Sequence, residues 1–420
     1  MLLNRDRALG IMQEFGIDAM VGTTPVNLTY LSGHSPWLHW VYRLYTAQKF
    51  MYQHYALLFR DQGTPPALIL PNRDANISYQ AQWPSWMEDV YPYGPQANPG
   101  DQPPAEAPPE VHQLFKFKQT AREKELRSAG EALVRAFRDR RLTRGVVAID
   151  LEGMDTAPLE YARRELPDLQ FREAGELFRY VRAVKTDAEI ALLREAAAIN
   201  WKGFEVLLGA AVPGATELEL SRAYRSGAAL AGGMPVFCNN ACGPWAVSHW
   251  EPRQYALKPG DVVYCDAGCT YNYYNSDTNV SAVLGEPTEQ HRALFGAMCE
   301  GLDAAIAKVR PGVKFSELLS TFREATARSG VIKAPTGFGH AVGLEARDLP
   351  MILAPWQTAR DSFIELSHDL PLEAGMVFNL EDNVRVAGVG SVAVEDTLLV
   401  TPTGVESLLP QERKILTLPA

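Results

Sequence analysis

The chain has 420 residues, of which 46% are hydrophobic and 21% are charged, so it has enough apolar material for two or three globular domains. Its net charge of −10 excludes nucleic acid as an expected partner, because phosphate binding requires a basic surface. No apolar run reaches secretory or transmembrane length, and five cysteines favour free thiols over a disulfide framework. We therefore expect a cytoplasmic protein with no membrane partner.

The first part of the chain alternates strand-like and helix-like segments. Residues 18–33 and 66–72 have the composition of strands, residues 120–141 have the spacing of a helix, and residues 145–154 resemble a buried strand. Alternation of this kind predicts a small α/β domain, which we place at residues 1–178.

A helix start marks a second domain, which we place at residues 179–420. Thr186 can cap a helix, and Glu189, three residues later, can complete a capping box. Glycine-rich strand segments alternate with four predicted helices at 186–209, 215–232, 288–309 and 314–329. This pattern predicts an α+β arrangement rather than a doubly wound sheet.

Four carboxylates and one histidine lie in apolar, strand-like surroundings of this second domain: Asp266, Asp277, His340, Glu381 and Glu395. Any one of them alone could be an ordinary buried polar residue that is satisfied by backbone groups or an arginine. Four carboxylates can share one interior only when cations neutralise them, because like charges raise each other's pKa. Two divalent ions would balance them, and oxygen ligands with one histidine suit Mn, Fe, Co or Zn.

The order of these residues and their local sequences resemble the pita-bread metallohydrolases, which include methionine aminopeptidase, aminopeptidase P, prolidase and creatinase-like enzymes. The matching segments are DAG and SD around the two aspartates, then GFGHAVGL, EAGMVFNLE and VEDTLLVT. The resemblance implies an α+β fold with a C-terminal pita-bread domain and a smaller N-terminal creatinase-type domain. It also implies two divalent metal ions and a homodimer.

The same resemblance implies a role for each of the five residues. Asp266 and Asp277 would bind the first ion, and Asp277 would also reach the second. His340 and Glu381 would complete the second site, and Glu395 would bridge both ions. Glu381 would also move protons. The implied reaction is hydrolysis of a C–N amide bond in a small zwitterionic or carboxylate-bearing substrate such as an Xaa-Pro dipeptide.

The chain departs from the peptidase members at Arg347, seven residues after the ligand histidine, where those members carry a second histidine. Arginine cannot act as an acid or base near neutral pH, but its planar fork suits a carboxylate. We expect Arg347 either to bind an anionic or zwitterionic substrate or to pair with Glu345 or Asp348.

Further departures follow the second aspartate and surround both glutamates, for example at Asn279 and Asp382. Retained metal ligands with altered neighbours also resemble the dimethylsulfoniopropionate lyases and ectoine hydrolases. A metal-dependent lyase or an ectoine hydrolase-like enzyme is therefore the alternative.

Three other residues are candidates for contact with substrate. His249, seventeen residues before Asp266, matches a catalytic family histidine, although it could be a surface turn residue. Tyr273 either packs in the hairpin or lines the substrate pocket. Trp37 lies in an aromatic segment that, by the resemblance, closes the active site of a partner subunit; core packing is the other possibility.

Overall fold

The computed structural model describes residues 2–34, 53–72, 85–87, 89–95, 102–247, 251–351, 359–366, 369–409 and 411–420. The chain divides into two compact units. The first comprises Met1–Val181 and Ala359–Glu365, and the second comprises Arg182–Thr358 and Leu366–Ala420. None of the helices in the described ranges combines the length and the apolar character of a membrane span.

The first unit is built on one mixed sheet of six strands. These strands are β1 (Ala19–Gly22), β2 (Tyr55–Phe59), β3 (Ala67–Pro71), β4 (Asp89–Tyr93), β5 (Arg144–Ile149) and β6 (Asp168–Glu173). Their order is β4-β3-β2-β1-β5-β6. Strand β2 is antiparallel to both of its neighbours, and the remaining pairs are parallel. Strands β1, β2 and β3 are buried along their whole length, which explains their continuous apolar sequence.

In the described part of this unit, six helices accompany the sheet: α1 (Arg5–Glu14), α2 (Pro25–Ser32), α3 (Pro109–Lys124), α4 (Ala129–Asp139), α5 (Thr156–Glu165) and α6 (Gly175–Arg182). Helix α2 corrects the prediction of strand structure through residue 33, since only β1 is a strand there. The Thr24 side chain caps α2 by accepting from the Asn27 N–H at 3.3 Å, and Pro25 suits its first turn. Gly33 ends the helix with φ of 72°.

The single helix predicted over residues 120–141 is also wrong, because this segment contains the end of α3 and all of α4. Glu125 adopts the left-handed region with φ of 49° and ends α3. Ser128 then starts α4 by accepting from the N–H of Glu131 at 3.2 Å. The strand predicted over residues 145–154 is present only as β5, which ends at Ile149.

The second unit contains the four helices predicted from the sequence, within three residues at each end. They are α7 (Asp187–Ala210), α8 (Glu217–Leu230), α9 (Glu289–Ile306) and α10 (Phe315–Arg328). The capping box of α7 is confirmed: the Thr186 hydroxyl accepts from the Glu189 N–H at 3.3 Å, and the Glu189 carboxylate accepts from the Thr186 N–H at 2.8 Å.

Two five-stranded sheets complete the second unit. The strands of the first of these sheets are β7 (Met234–Cys242), β8 (Val262–Tyr271), β9 (Tyr274–Asn275), β10 (Thr278–Leu284) and β18 (Leu416–Leu418). The strands of the second are β11 (Phe338–Ala341), β12 (Asp348–Met351), β15 (Val377–Val386), β16 (Gly390–Val400) and β17 (Val405–Ser407). One sheet has the order β18-β10-β8-β7 with β9 beside β8, and the other has the order β12-β11-β15-β16-β17. A short pair, β13 (Ala359–Arg360) and β14 (Glu365–Leu366), forms a separate two-stranded sheet and lies, except for Leu366, in the segment that belongs to the first unit.

The two sheets of the second unit meet along β10 and β16. The Ser281 hydroxyl donates to the carbonyl of Ala393 at 3.1 Å and accepts from its N–H at 2.9 Å. Behind the first sheet, side chains of α7, α8, β8 and β10 form one apolar core that includes Phe204, Leu220 and Val263. This core fixes β8, which carries Asp266, and β10, which directly follows Asp277.

Candidate metal centre

The five candidate ligands come from five places in the second unit, on both of its large sheets. Asp266 is in β8, Asp277 directly precedes β10, His340 is in β11, Glu381 is in β15 and Glu395 is in β16. In β15, residues at every second position face the same side of the sheet, so Asn379 shares a face with Glu381.

The structure brings these side chains together. Carboxylate oxygens of Asp266, Asp277 and Glu395 all lie within 4.8 Å of one another. The Nε2 atom of His340 is 3.4 Å from Asp277 Oδ2 and 3.9 Å from Glu381 Oε1. Glu381 is directly opposite Glu395 in the β15–β16 pair, an arrangement that is unfavourable for two like charges without a cation between them.

His340 has the geometry of a neutral metal ligand. Its side chain is 1% exposed, and its Nδ1 lies 3.1 Å from the carbonyl oxygen of Ala341. An N–H at Nδ1 that donates to this carbonyl leaves the lone pair on Nε2, the atom that faces Asp277 and Glu381. Burial lowers the pKa of His340, which favours the neutral imidazole.

Burial raises the pKa of all four carboxylic acids, and mutual repulsion raises it further in Asp266, Glu381 and Glu395. The pKa of Asp277 rises to about 7, chiefly through burial. The pKa of Glu381 rises to about 8, through burial and then through the charges of Asp277 and Asp266. The folded protein therefore holds these groups ionised near neutral pH only when positive charge is placed among them.

The donor set fits divalent cations. Converging carboxylate oxygens and one neutral imidazole suit borderline transition metals, and a thiolate zinc site is excluded because no cysteine sulfur belongs to the described acidic cluster. These five side chains therefore fit the metal centre that the sequence pattern predicts.

An amide cradle, which we define as Asn279 and Asn379, holds the carboxylate of Glu395. Asn379 Nδ2 donates to Glu395 Oε1 at 2.7 Å and to the carbonyl oxygen of Asp277 at 3.2 Å. Asn279 Nδ2 donates to the other oxygen, Oε2, at 3.0 Å. Because each carboxylate oxygen can accept more than one bond, the cradle orients Glu395 and leaves a lone pair on each oxygen for a metal.

Sequence reasoning missed the role of Asn379. A signal was present, since Asn379 and Glu381 alternate with apolar Phe378 and Leu380 in a buried strand. A polar residue at the position i−2 of a ligand shares its face and is a candidate to orient a neighbouring ligand.

The remaining predicted site residues have different outcomes. His249 and Trp37 lie outside the described residues. Tyr273 is half-buried in the tight turn between β8 and β9, where Asn272 and Tyr273 have φ of 44° and 73°. This position fits a hairpin turn. That Tyr273 lines a substrate pocket stays a prediction.

Arg347 does not form the ion pairs considered in the sequence analysis. Glu345 pairs with Arg182 at 2.5 Å, and Asp348 pairs with Arg182 at 3.3 Å and with Lys185 at 3.8 Å. Arg347 is instead exposed, and its guanidinium carbon lies 5.1 Å from the centre of the Phe338 ring. Its positive charge lowers the pKa of Asp277, so its field reaches the metal centre.

Comparison with known proteins agrees with this geometry. The model of metallopeptidase family M24 matches residues 191–402. The Xaa-Pro dipeptidase of Pyrococcus furiosus is 28% identical over 251 residues, which are 59% of this chain and 69% of that protein. The Xaa-Pro dipeptidase of Pyrococcus horikoshii is 25% identical over 262 residues, which are 61% of this chain and 71% of that protein.

Solved structures share the fold of the whole chain. The X-Pro aminopeptidase of Thermotoga maritima aligns with a TM-score of 0.72 at 20% identity, covering 97% of this chain and 100% of that chain. The prolidase of Pyrococcus furiosus aligns with a TM-score of 0.67 at 21% identity, covering 96% and 100%. The predicted α+β fold, a pita-bread domain preceded by a smaller domain, is confirmed. The chain is a divergent member of metallopeptidase family M24.

Proposed function

We propose that this protein is a metal-dependent peptidase that hydrolyses the amide bond between an amino acid and a following proline. The observation that carries the proposal is the convergence of Asp266, Asp277 and Glu395 within 4.8 Å, with His340 Nε2 at 3.4 Å from Asp277. Four carboxylates in one interior require neutralisation, and divalent ions supply it.

The proposed ligands are the five residues that the sequence singled out. Asp266, Asp277, His340, Glu381 and Glu395 would hold two divalent ions, drawn from Mn, Fe, Co or Zn. Such ions, when bound, polarise a carbonyl and lower the pKa of water to near neutrality. The amide cradle orients Glu395 before any ion arrives, so the site is preorganised.

Within this proposal, Glu381 moves the proton. Its pKa is raised by burial and by neighbouring carboxylates, the pattern of a general acid and base poised near neutral pH. We propose that its carboxylate takes a proton from the attacking water and delivers it to the leaving proline nitrogen. His249 is the proposed second catalytic residue and contacts the substrate. Tyr273 is proposed to line the substrate pocket.

The proposed substrate follows from the relatives. Two of the relatives are named Xaa-Pro dipeptidase. The match to the family model, over residues 191–402, includes all five proposed ligands. A lyase or an ectoine hydrolase-like enzyme is not favoured, because the relatives and solved structures described above bear peptidase names. An amide bond next to a carboxylate-bearing proline also satisfies the expectation of a small zwitterionic substrate.

The wider organisation is proposed on the same grounds. We propose that residues 179–420 form the catalytic domain and residues 1–178 a creatinase-type domain, in a homodimer whose Trp37 segment closes the partner's site. We also propose a cytoplasmic location, which the five free cysteines support, because disulfides are rare in the reducing cytoplasm.

A substrate assay tests the proposal. Protein stripped with a chelator and reloaded with Mn²⁺ is incubated with Xaa-Pro dipeptides and, separately, with dimethylsulfoniopropionate. We expect proline release from the dipeptides only after reloading. Glu381→Gln should lower kcat by at least about 100-fold, because the proton carrier is lost. Glu406→Gln, at an exposed ion pair with Arg194, is the matched control and should retain activity. Elimination products without proline release would contradict the proposal.

A further inference from the structure

One buried carboxylate joins the two ends of the segment that contains His249. Glu217 is the first residue of α8 and is fully buried. Within the described residues, its carboxylate accepts a hydrogen bond from the backbone N–H of Cys242 at 2.8 Å and three from Arg253: from the backbone N–H at 2.7 Å, from Nε at 2.9 Å and from Nη2 at 2.5 Å. Arg253 Nη2 also donates to the carbonyl of Cys242 at 3.1 Å. We call these three residues the Glu217 clamp, because they close residues 243–252 into a loop.

Other hydrogen bonds hold the described parts of this loop. Near its start, the carbonyl of Ala246 accepts from the Ser391 hydroxyl at 2.6 Å. Directly after its end, the carbonyl of Arg253 accepts from the N–H of Leu218, in the first turn of α8, at 3.3 Å. The loop is therefore fixed on both sides, to β16 and to α8.

The start of the loop packs on the face of the sheets that carries proposed metal ligands. Ala246 belongs to one apolar cluster with Tyr264 and Ala393. Tyr264 is two residues before Asp266 in β8, and Ala393 is two residues before Glu395 in β16. Every second residue of a strand faces the same side, so Ala246 packs on the faces that these two ligands share. The loop therefore borders the candidate metal centre.

The fixed points on either side restrict His249. Residues 248–250 lie outside the described part of the chain, and His249 is three residues after Ala246 and four before Arg253. Because a chain spans at most about 3.6 Å per residue, both fixed points limit where the imidazole can lie. An open clamp would leave the loop fixed only on the side of Ala246, and the loop would gain conformational freedom.

We propose that the Glu217 clamp positions His249 for its part in the reaction, which makes Glu217 and Arg253 positioning residues. This inference rests on the proposed function, in which His249 contacts the substrate. Displacement of a catalytic group by about 1 Å can lower the rate about 100-fold. Since the clamp acts through the loop, opening it should lower kcat and leave the metal ligands in place.

The test opens the clamp in the presence and in the absence of His249. Glu217→Gln replaces the carboxylate by a neutral group of the same shape, and the Arg253 side chain that loses its partner is 48% exposed and stays hydrated. Arg253→Lys is a second variant, which keeps the positive charge and loses the planar fork. Its matched control is Arg292→Lys, at a similarly exposed ion pair with Glu286. Each substitution is made in the wild-type and in the His249→Ala background, and melting curves identify any variant that does not fold.

The readouts are kcat and KM of the Mn²⁺-loaded proteins on an Xaa-Pro dipeptide, the amount of bound Mn²⁺, and hydrogen–deuterium exchange of the metal-free proteins. We expect Glu217→Gln to lower kcat about 10- to 100-fold, while KM and bound Mn²⁺ change less than about twofold. Arg253→Lys should lower kcat by a smaller factor, and the Arg292 control should match the wild type. In the His249→Ala background, opening the clamp should change kcat less than about twofold, because the residue through which it acts is absent. Exchange should rise in residues 243–253 and stay unchanged in β16.

An equal loss of kcat in both backgrounds would overturn the inference, because the clamp would then act apart from His249. Unchanged kcat, unchanged exchange in the loop, or a loss of bound Mn²⁺ after the clamp is opened would overturn it as well. A His249→Ala variant with full activity would overturn the inference while metal-dependent hydrolysis stands. If the metal-loaded wild type cleaves no Xaa-Pro dipeptide, the proposed function fails and the inference fails with it.

Discussion

The substitution Asn379→Ala removes part of the amide cradle without changing any proposed metal ligand, so it tests how much the cradle contributes to the free energy of metal binding. Asn379 is fully buried and donates to Glu395 at 2.7 Å and to the Asp277 carbonyl at 3.2 Å. Without metal, burial and the neighbouring carboxylates raise the pKa of Glu395 and so favour its neutral form, to which a hydrogen bond contributes about 0.5–1.5 kcal/mol. With metal, Glu395 is ionised, and the same bond contributes about 1.5–3 kcal/mol. The variant should therefore lose about 1–1.5 kcal/mol of metal-binding free energy, or roughly tenfold in the dissociation constant.

The assay is calorimetric titration of metal-free protein with Mn²⁺, accompanied by thermal melting with and without the metal. Asn383→Ala is the matched control, since Asn383 is two residues beyond Glu381 in the same strand and interacts with Tyr264. We expect the melting temperature of Asn379→Ala to fall more in the metal-loaded than in the metal-free protein. A folded Asn379→Ala variant with wild-type affinity for Mn²⁺ would refute the role assigned to the cradle.

Two further predictions concern stability. In metal-free protein the folded-state pKa of Asp277 is about 7 and that of Glu381 about 8, both above their unfolded values, so the native state binds more protons between about pH 4 and 8. As pH rises through that range, the free energy of unfolding of the metal-free protein should fall, and each of the two groups should contribute up to about 1.4 kcal/mol per pH unit to this fall. Melting temperatures that rise over that range would disprove this prediction. Asp348→Asn should lower the free energy of unfolding in denaturant by about 3–5 kcal/mol, because its buried partner Arg182 loses a counter-ion. Glu345→Gln, at a more exposed position, should lower it less, and equal losses would contradict the role of burial.

The candidate metal centre could be predicted from sequence because the proposed ligands occur in the order and in the local segments of the family that the chain resembles. A single acidic residue in an apolar strand could be an ordinary buried polar group, but four of them can share one interior only with cations, so the set predicts a metal site. The cradle could not be predicted in the same way. Asn379 acts across the junction between two sheets, and the contact of Asn279 with Glu395 joins residues more than a hundred positions apart. Such contacts depend on how the sheets meet, which local patterns do not specify.

The errors in the first unit have a local cause. In residues 18–33 the apolar and β-branched composition favoured a strand, but Thr24, Pro25 and Gly33 are the start and stop signals of a helix. In residues 120–141 the helical spacing continues across a break, and Ser128 with Glu131 three residues later is the signal for a new start. In both segments capping residues were more informative than composition, because they satisfy the backbone groups at a helix end.

The number of metal ions bound per chain tests the central claim most directly. Wild-type protein and Asp277→Asn are reloaded with Mn²⁺, freed of loosely bound ions and measured by elemental mass spectrometry. Because Asp277 lies within 4.8 Å of two other candidate ligands and 3.4 Å from His340, its replacement should disturb the whole centre. We predict about two ions per wild-type chain and fewer than about one in the variant. Wild-type protein that retains no metal, or a variant that retains as much as the wild type, would contradict the account.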